Sequence, residues 1–364
     1  MPPSVAVVTD STAYLPDVPG VAVVPVQVIA GGVSYDEPLF GIDGASSGEP
    51  PFGAGGGAPR HEQAAPRHER AAAPEHEAAA PEHERAVPRH EWAAPEHEWA
   101  APEHEWAAPE HEWAGNNGTP LGERGGGFRD ASPFRGDLAS ASTSRPSPES
   151  FASCYSALAA AGATGIVSIH LSRELSGTVE SAQTAAGRAP VPVEVIDSRS
   201  IAMGLGYPVL AAARAAARGA SLEEVTSAAR RRMETTRTFF YVDTLDYLRR
   251  GGRIGAAASL VGSALLIKPL LHIVDGRISL LEKVRTSSRA IARLEDLAVR
   301  AAGEGPVEVA VQHLGARERA EALAERLPKR LAGLVELRVV ELGAVIGAHV
   351  GPGMLGLTVT SADR

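Results

Sequence analysis

Between Pro59 and Trp113 a proline returns every seven residues, with one eight-residue step near Ala71 to Pro74, in units such as Ala93-Ala94-Pro95-Glu96-His97-Glu98-Trp99. A seven-residue period suggests a coiled coil. Proline inside a helix, however, removes a hydrogen bond and clashes with the preceding turn, at about 3 kcal/mol each. The repeat is therefore not a helical seam. Its apolar residues are mostly Ala, and glycine-rich stretches flank it at Gly53–Gly57, Gly115–Gly118 and Gly125–Gly127. Such a segment has too little apolar surface to offset its ordering entropy. Residues 45–135 are expected to form a disordered insertion, which leaves the fold to the two flanks.

The insertion also dominates the charge. Its repeat, residues 59–113, holds thirteen Glu against five Arg, so it carries eight of the nine net negative charges and the rest is close to neutral. A near-neutral body lacks the concentrated basic surface that phosphate backbones require, so nucleic acid is not expected as a partner. Eight of the twelve His and all four Trp also lie in the repeat. A metal-binding or pH-sensitive tether is one reading. A low-complexity loop is favoured over it, because each unit offers one His, no Cys and none of the close ligand pairs of a zinc site. The single Cys154 excludes an internal disulfide and suits a reducing compartment. The start of the chain lacks a secretory pattern, and the most apolar stretch, residues 263–274, is interrupted by Lys268 and Pro269. A cytoplasmic protein without a transmembrane segment is expected.

Outside the insertion, strand and helix patterns alternate. Val5–Val8 reads as a buried strand, and Val21–Ile29 and Val33–Tyr35 as strands around a Gly31-Gly32 turn. Ser147-Pro148 opens a helix that ends at Gly162. Ile166–Leu171 and Val193–Ile196 are strands, each followed by a polar turn and a helix, the second helix spanning Val209–Arg218. Ser221 and Glu224 form a capping box. Further on, Asp275-Gly276 between apolar runs signals a hairpin, since both positions suit positive φ. Helices over 290–302 and 316–331 alternate with strands over 307–312, 336–341 and 355–360. The pattern predicts a layered α/β domain with a largely parallel sheet (residues 1–44 and 136–225), then an α+β domain with mixed or antiparallel pairing (226–364).

Three polar turns, 9–12, 170–178 and 197–200, follow strands of the first domain, and a crevice at the carboxyl ends of the sheet should collect them. Leu175-Ser176-Gly177-Thr178 opens a helix whose N–H groups and dipole favour an anion, with Gly177 admitting a ligand to the backbone. Ordinary capping by a Ser/Thr cluster is the other reading. Arg249-Arg250-Gly251-Gly252-Arg253-Ile254 places arginines beside a turn, where a guanidinium fork can hold a carboxylate or simply face solvent. Gly347-Ala348-His349-Val350-Gly351-Pro352-Gly353 reads as a glycine-rich turn carrying one histidine.

Taken in order, Val7–Thr12, Ser142–Pro148, Leu175–Thr178, Leu248–Ile254 and Gly347–Gly353 resemble the motifs of the DegV family, and the resemblance covers all but the insertion. It implies a two-domain protein holding a long-chain fatty acid between its domains as ligand, with no cofactor, no metal and no catalytic residue. Thr143, Ser176 and Gly177 match the family's carboxylate-binding hydroxyl motifs, and Arg253 and His349 match the basic side of that site. Arg285 falls where some members engage a partner, a dihydroxyacetone-kinase-like fatty acid kinase that converts the bound acid to an acyl phosphate. Arg145 departs from the pattern, standing where glutamine is frequent. Burying a tail of about sixteen carbons offers on the order of 10 kcal/mol before association costs, while the buried carboxylate needs paired, hydrogen-bonded partners. Residues 260–271 are candidates for the tunnel wall. The alternative is a serine acyl hydrolase using Ser176 and His349, disfavoured because no Gly-x-Ser-x-Gly elbow surrounds Ser176. A dinucleotide module is disfavoured because Gly204-Leu205-Gly206 lacks the next glycine of its fingerprint.

Overall fold

The computed structural model describes residues 5–15, 18–37, 138–255 and 267–362. The expected insertion, residues 45–135, lies outside them. Four parallel strands form the first sheet in the order β2-β1-β6-β7: β1 (Val5–Asp10), β2 (Val21–Val24), β6 (Gly165–His170) and β7 (Val193–Asp197). Alternation along β1 sends Ala6 and Val8 against α1 (Pro148–Ala160) and α2 (Thr178–Ala186) on one face. Val5 and Val7 meet α3 (Met203–Ala217) and α4 (Leu222–Thr235) on the other. The Ser221–Glu224 capping box is present at the start of α4.

The second sheet has six strands in the order β10-β9-β8-β13-β11-β12. They are β8 (Arg237–Tyr241), β9 (Lys268–Val274), β10 (Arg277–Val284), β11 (Val307–His313), β12 (Leu334–Glu341) and β13 (Leu355–Ser361). All neighbours are antiparallel except β11 and β12, so the sheet is mixed. Asp275 and Gly276, with φ of 50° and 79°, make the two-residue turn joining β9 to β10. The outer face packs on α6 (Ser287–Ala302) and α7 (Arg317–Arg326), while the inner face shares a core with α3. A small antiparallel sheet, β4-β3-β5, completes the framework: β3 (Gln27–Ala30), β4 (Val33–Asp36) and β5 (Ser142–Ser144). Among the described residues no helix is long and apolar enough to cross a membrane.

Three local readings change. Val21–Ile29 is two strands in two sheets, because Pro25 has no N–H to continue the ladder. The helix expected from Val209 begins at Met203, and thirteen of its fifteen residues are buried, since both large sheets pack against it. Gly206 permits that approach, as a β-carbon there would lie 2.8 Å from the carbonyl of Ala13. The third change concerns residues 344–350, which form a short helix, α8 (Ala344–Val350), instead of a turn. Its neighbour α5 (Asp246–Arg250) follows β8.

Two buried carboxylates hold these layers. Asp10 accepts hydrogen bonds from the backbone and hydroxyl of Thr12, from the backbone of Leu171 and from His170 Nδ1. His170 continues to Ser168, and Ser168 to Tyr155. The carboxyl ends of β1 and β6 are thereby tied together, so the 9–12 turn is spent on structure and does not reach the cavity described below. Glu37, which follows β4, accepts from Ser11 Oγ, Tyr14 Oη and the backbone N–H of Val345 in α8. Burial raises its carboxyl to about 7.

Asp10→Ala should destabilise the fold by roughly 3–5 kcal/mol, because it strands several buried donors; urea denaturation measures this. For Glu37, the folded state keeps a proton that the unfolded chain releases near 4.5. Stability therefore falls as pH rises from about 4.5 to 7, and ionisation above that range costs on the order of 3 kcal/mol. Glu37→Gln, its amide turned to Ser11, should raise the melting temperature at pH 8 and leave it nearly unchanged at pH 5.

Candidate functional site

A cavity of about 330 Å³ lies between the inner face of the six-stranded sheet, the start of α2, β5 and α8. Its walls are apolar, with Leu171, Leu175, Phe240, Leu248, Ile346 and Met354 among them. Polar groups gather at the end nearest solvent. Thr143, Ser176, Gly177, Arg253 and His349, which come from four separate stretches of the chain, all line this one space. Arg285 does not; it is exposed in the link between β10 and α6.

Each group is held by its local structure. Thr143 is the middle residue of β5, pinned against Val28 of β3. Its Oγ1 lies 2.9 Å from His349 Nε2, on the last turn of α8. The other ring nitrogen, Nδ1, is buried and has no hydrogen-bond partner among the described residues. That side of the ring rests on Gly251, where a β-carbon would collide with Nδ1. Burial, and then the charge of Arg253, push the imidazole down to about 4. The ring is accordingly neutral at pH 7, and its proton belongs on Nε2, since Nδ1 has nothing to donate to. Nε2–H then donates to Thr143, leaving the threonine's own proton free to point into the cavity. The expected basic role of His349 becomes that of a neutral donor acting through Thr143.

Arg253 supplies the charge. Its Nε donates to the carbonyl of Leu175 at 3.0 Å and its Nη1 to that of Gly251 at 2.5 Å. Two carbonyls thus orient the guanidinium, and no carboxylate neutralises it among the described residues. Ser176 Oγ lies 2.9 Å from Thr178 Oγ1 at the start of α2, whose N-terminus has no side-chain cap. Arg145 lies across Gly177, whose β-carbon would collide with Nη1. This exposed arginine extends the positive rim. The arrangement can bind an anion joined to an apolar body.

Among the described residues no hydrolytic relay is assembled: Ser176 pairs with Thr178 and His349 with Thr143, and no acid orients the imidazole. An Asp–His–Ser chain does exist in Asp10, His170 and Ser168, but all three are fully buried in the first sheet. Of the candidate wall residues 260–271, Leu270 and Leu271 belong to the packed cores and not to the cavity lining. Residues 260–266 lie outside the described residues. Two buried polar groups of the lining escaped the sequence reading, Thr238 and Gln312. The available signal was a polar residue ending the apolar run of β11.

The model of a family described as "Uncharacterised protein, DegV family" matches residues 136–362. A DegV domain-containing protein of Streptomyces coelicolor is 59% identical over 219 residues, covering 60% of this chain and 78% of that one. Among solved structures, a Thermus thermophilus DegV family protein described as fatty-acid-binding is similar, with a TM-score of 0.68 and 26% identity over 98% of this chain and 99% of that one. DegV of Bacillus subtilis, described as a fatty acid binding protein, gives a TM-score of 0.65 at 25% identity over 98% and 99%. The matched motifs, the paired sheets and the cavity between them agree on one assignment: the chain belongs to the DegV family.

Proposed function

We propose that this protein binds a long-chain fatty acid and presents its carboxylate to a partner kinase. The observation that carries the reading is a single apolar cavity whose solvent end brings together two hydroxyls, an oriented arginine and a neutral histidine. In this reading the acyl tail lies between a lobe of residues 1–44 and 136–225 and a lobe of residues 226–364. The tail supplies affinity through burial, while the head must be paired or it is strongly penalised. The Thr143 hydroxyl, Ser176 and the N–H groups that follow Gly177 donate to the carboxylate, and Arg253 balances its charge. His349 fixes the direction of the Thr143 proton. The head stays nearest solvent, where a kinase can phosphorylate it, and the exposed Arg285 serves as a contact for that kinase. The carrier itself then needs no cofactor and works in the cytoplasm. Relatives described as fatty-acid-binding support the ligand class.

Native mass spectrometry of protein purified from cells should show a co-bound fatty acid. Ligand-free protein that also fails to take up palmitate or oleate would overturn the proposal. Arg253→Ala should weaken binding roughly 10- to 100-fold, the range for a charge-assisted contact, and Ser176→Ala by less; wild-type affinity in both would place the carboxylate elsewhere. Gly251→Ala should displace the His349 ring, break its bond to Thr143 and weaken binding while the fold persists by circular dichroism.

A further inference from the structure

At the inner end of the cavity the apolar wall is interrupted by Thr238 and Gln312, both buried. Thr238 stands three residues before Tyr241 on β8, about 10 Å along the strand. The Tyr241 end is the one from which the chain leads to α5 and Arg253, and Tyr241 pairs with Leu355, just after α8. Thr238 is therefore set deep, away from the head groups.

The hydrogen bonds here run in a fixed direction. The backbone N–H of Met203, at the start of α3, donates to Gln312 Oε1 at 2.9 Å. A backbone N–H can only donate, so Oε1 faces it and Nε2 faces the other way. Nε2 donates to Thr358 Oγ1 at 2.8 Å, and Thr358 Oγ1 lies 3.0 Å from Thr238 Oγ1. The two threonines share one hydrogen bond but own two protons. Neither hydroxyl has another acceptor among the described residues. Thr358 already accepts from Gln312, and a chain of bonds running one way polarises each member. Thr358 then donates to Thr238, and the surplus proton sits on Thr238, the threonine that lines the cavity. Ser200 Oγ and Thr238 Oγ1 also converge on the space that Gly204 leaves open, where a β-carbon would collide with the first and lie 2.8 Å from the second.

We propose, building on the fatty-acid reading above, that the preferred ligand is an acyl chain carrying an oxygen function at the depth of Thr238, where a keto or hydroxyl oxygen accepts the Thr238 proton. An unsubstituted tail leaves that donor without a partner in a dry space, and a buried unmade hydrogen bond is unfavourable. A keto oxygen matches the site directly.

Isothermal titration should compare stearic acid with a series of ketostearic acids differing only in the position of the carbonyl. One position should bind roughly three- to tenfold more tightly than stearic acid and than its positional neighbours, the range of one net hydrogen bond. Thr238→Val, which keeps the shape and removes the hydroxyl, should collapse that ratio, and Thr238→Ser should keep it. Wild-type protein that binds every keto isomer more weakly than stearic acid would overturn the inference and leave the fatty-acid reading standing. A preference that survives in Thr238→Val would do the same. Failure to bind any of these acids, stearic acid included, would overturn both.

Discussion

The Arg253 guanidinium is the contact on which the site depends, because it is anchored on both sides of the cavity at once. It donates to the carbonyl of Leu175, in the loop that leaves the parallel sheet, and to that of Gly251, in the turn that leaves the mixed sheet. A partly buried charge keeps little of its water and needs hydrogen bonds in exchange, and here they come from backbone that belongs to two layers. The remaining walls are apolar apart from Thr238 and Gln312 at the inner end.

Buried polar groups elsewhere show how little residue type alone decides. Asp10, His170 and Ser168 have the composition of a nucleophilic relay and hydrogen bonds in that sequence. All are sealed beneath α1, with Phe151 standing edge-on to the imidazole at 4.9 Å. They serve to fix strand ends. The groups at the cavity mouth are similar in type, but their spare donors face open space, and that difference in direction separates a structural network from a binding site.

Much of the framework was legible in the residues. The capping box at Ser221 and the Asp275-Gly276 hairpin are local signals, and each formed where local chemistry required it. The five candidate residues Thr143, Ser176, Gly177, Arg253 and His349 were picked out through short motifs, and their meeting in one cavity follows from topology that no single motif contains. What escaped was set by distant packing. Met203 to Tyr207 includes two glycines and precedes Pro208, so propensity argues against a helix there, yet burial between two sheets overrides it. Likewise α8 contains Gly347 and is flanked by Gly343 and Gly351, the latter with φ of 72°, so it read as a turn until Glu37, over three hundred residues away in sequence, supplied an acceptor for Val345. Thr238 and Gln312 became visible only through the pairing of β8, β13 and β11.

The glycine beneath the His349 ring has a consequence for how the pocket responds to its surroundings. With no side chain at position 251, the Nδ1 edge of the imidazole comes up against the backbone and that nitrogen is shut away from water. Across the range in which histidines usually change charge, this one stays uncharged. The positive character of the opening then comes from Arg253 and Arg145. A weak acid approaching such an opening would meet an unchanging histidine, so its own ionisation, and not that of His349, would govern the attraction.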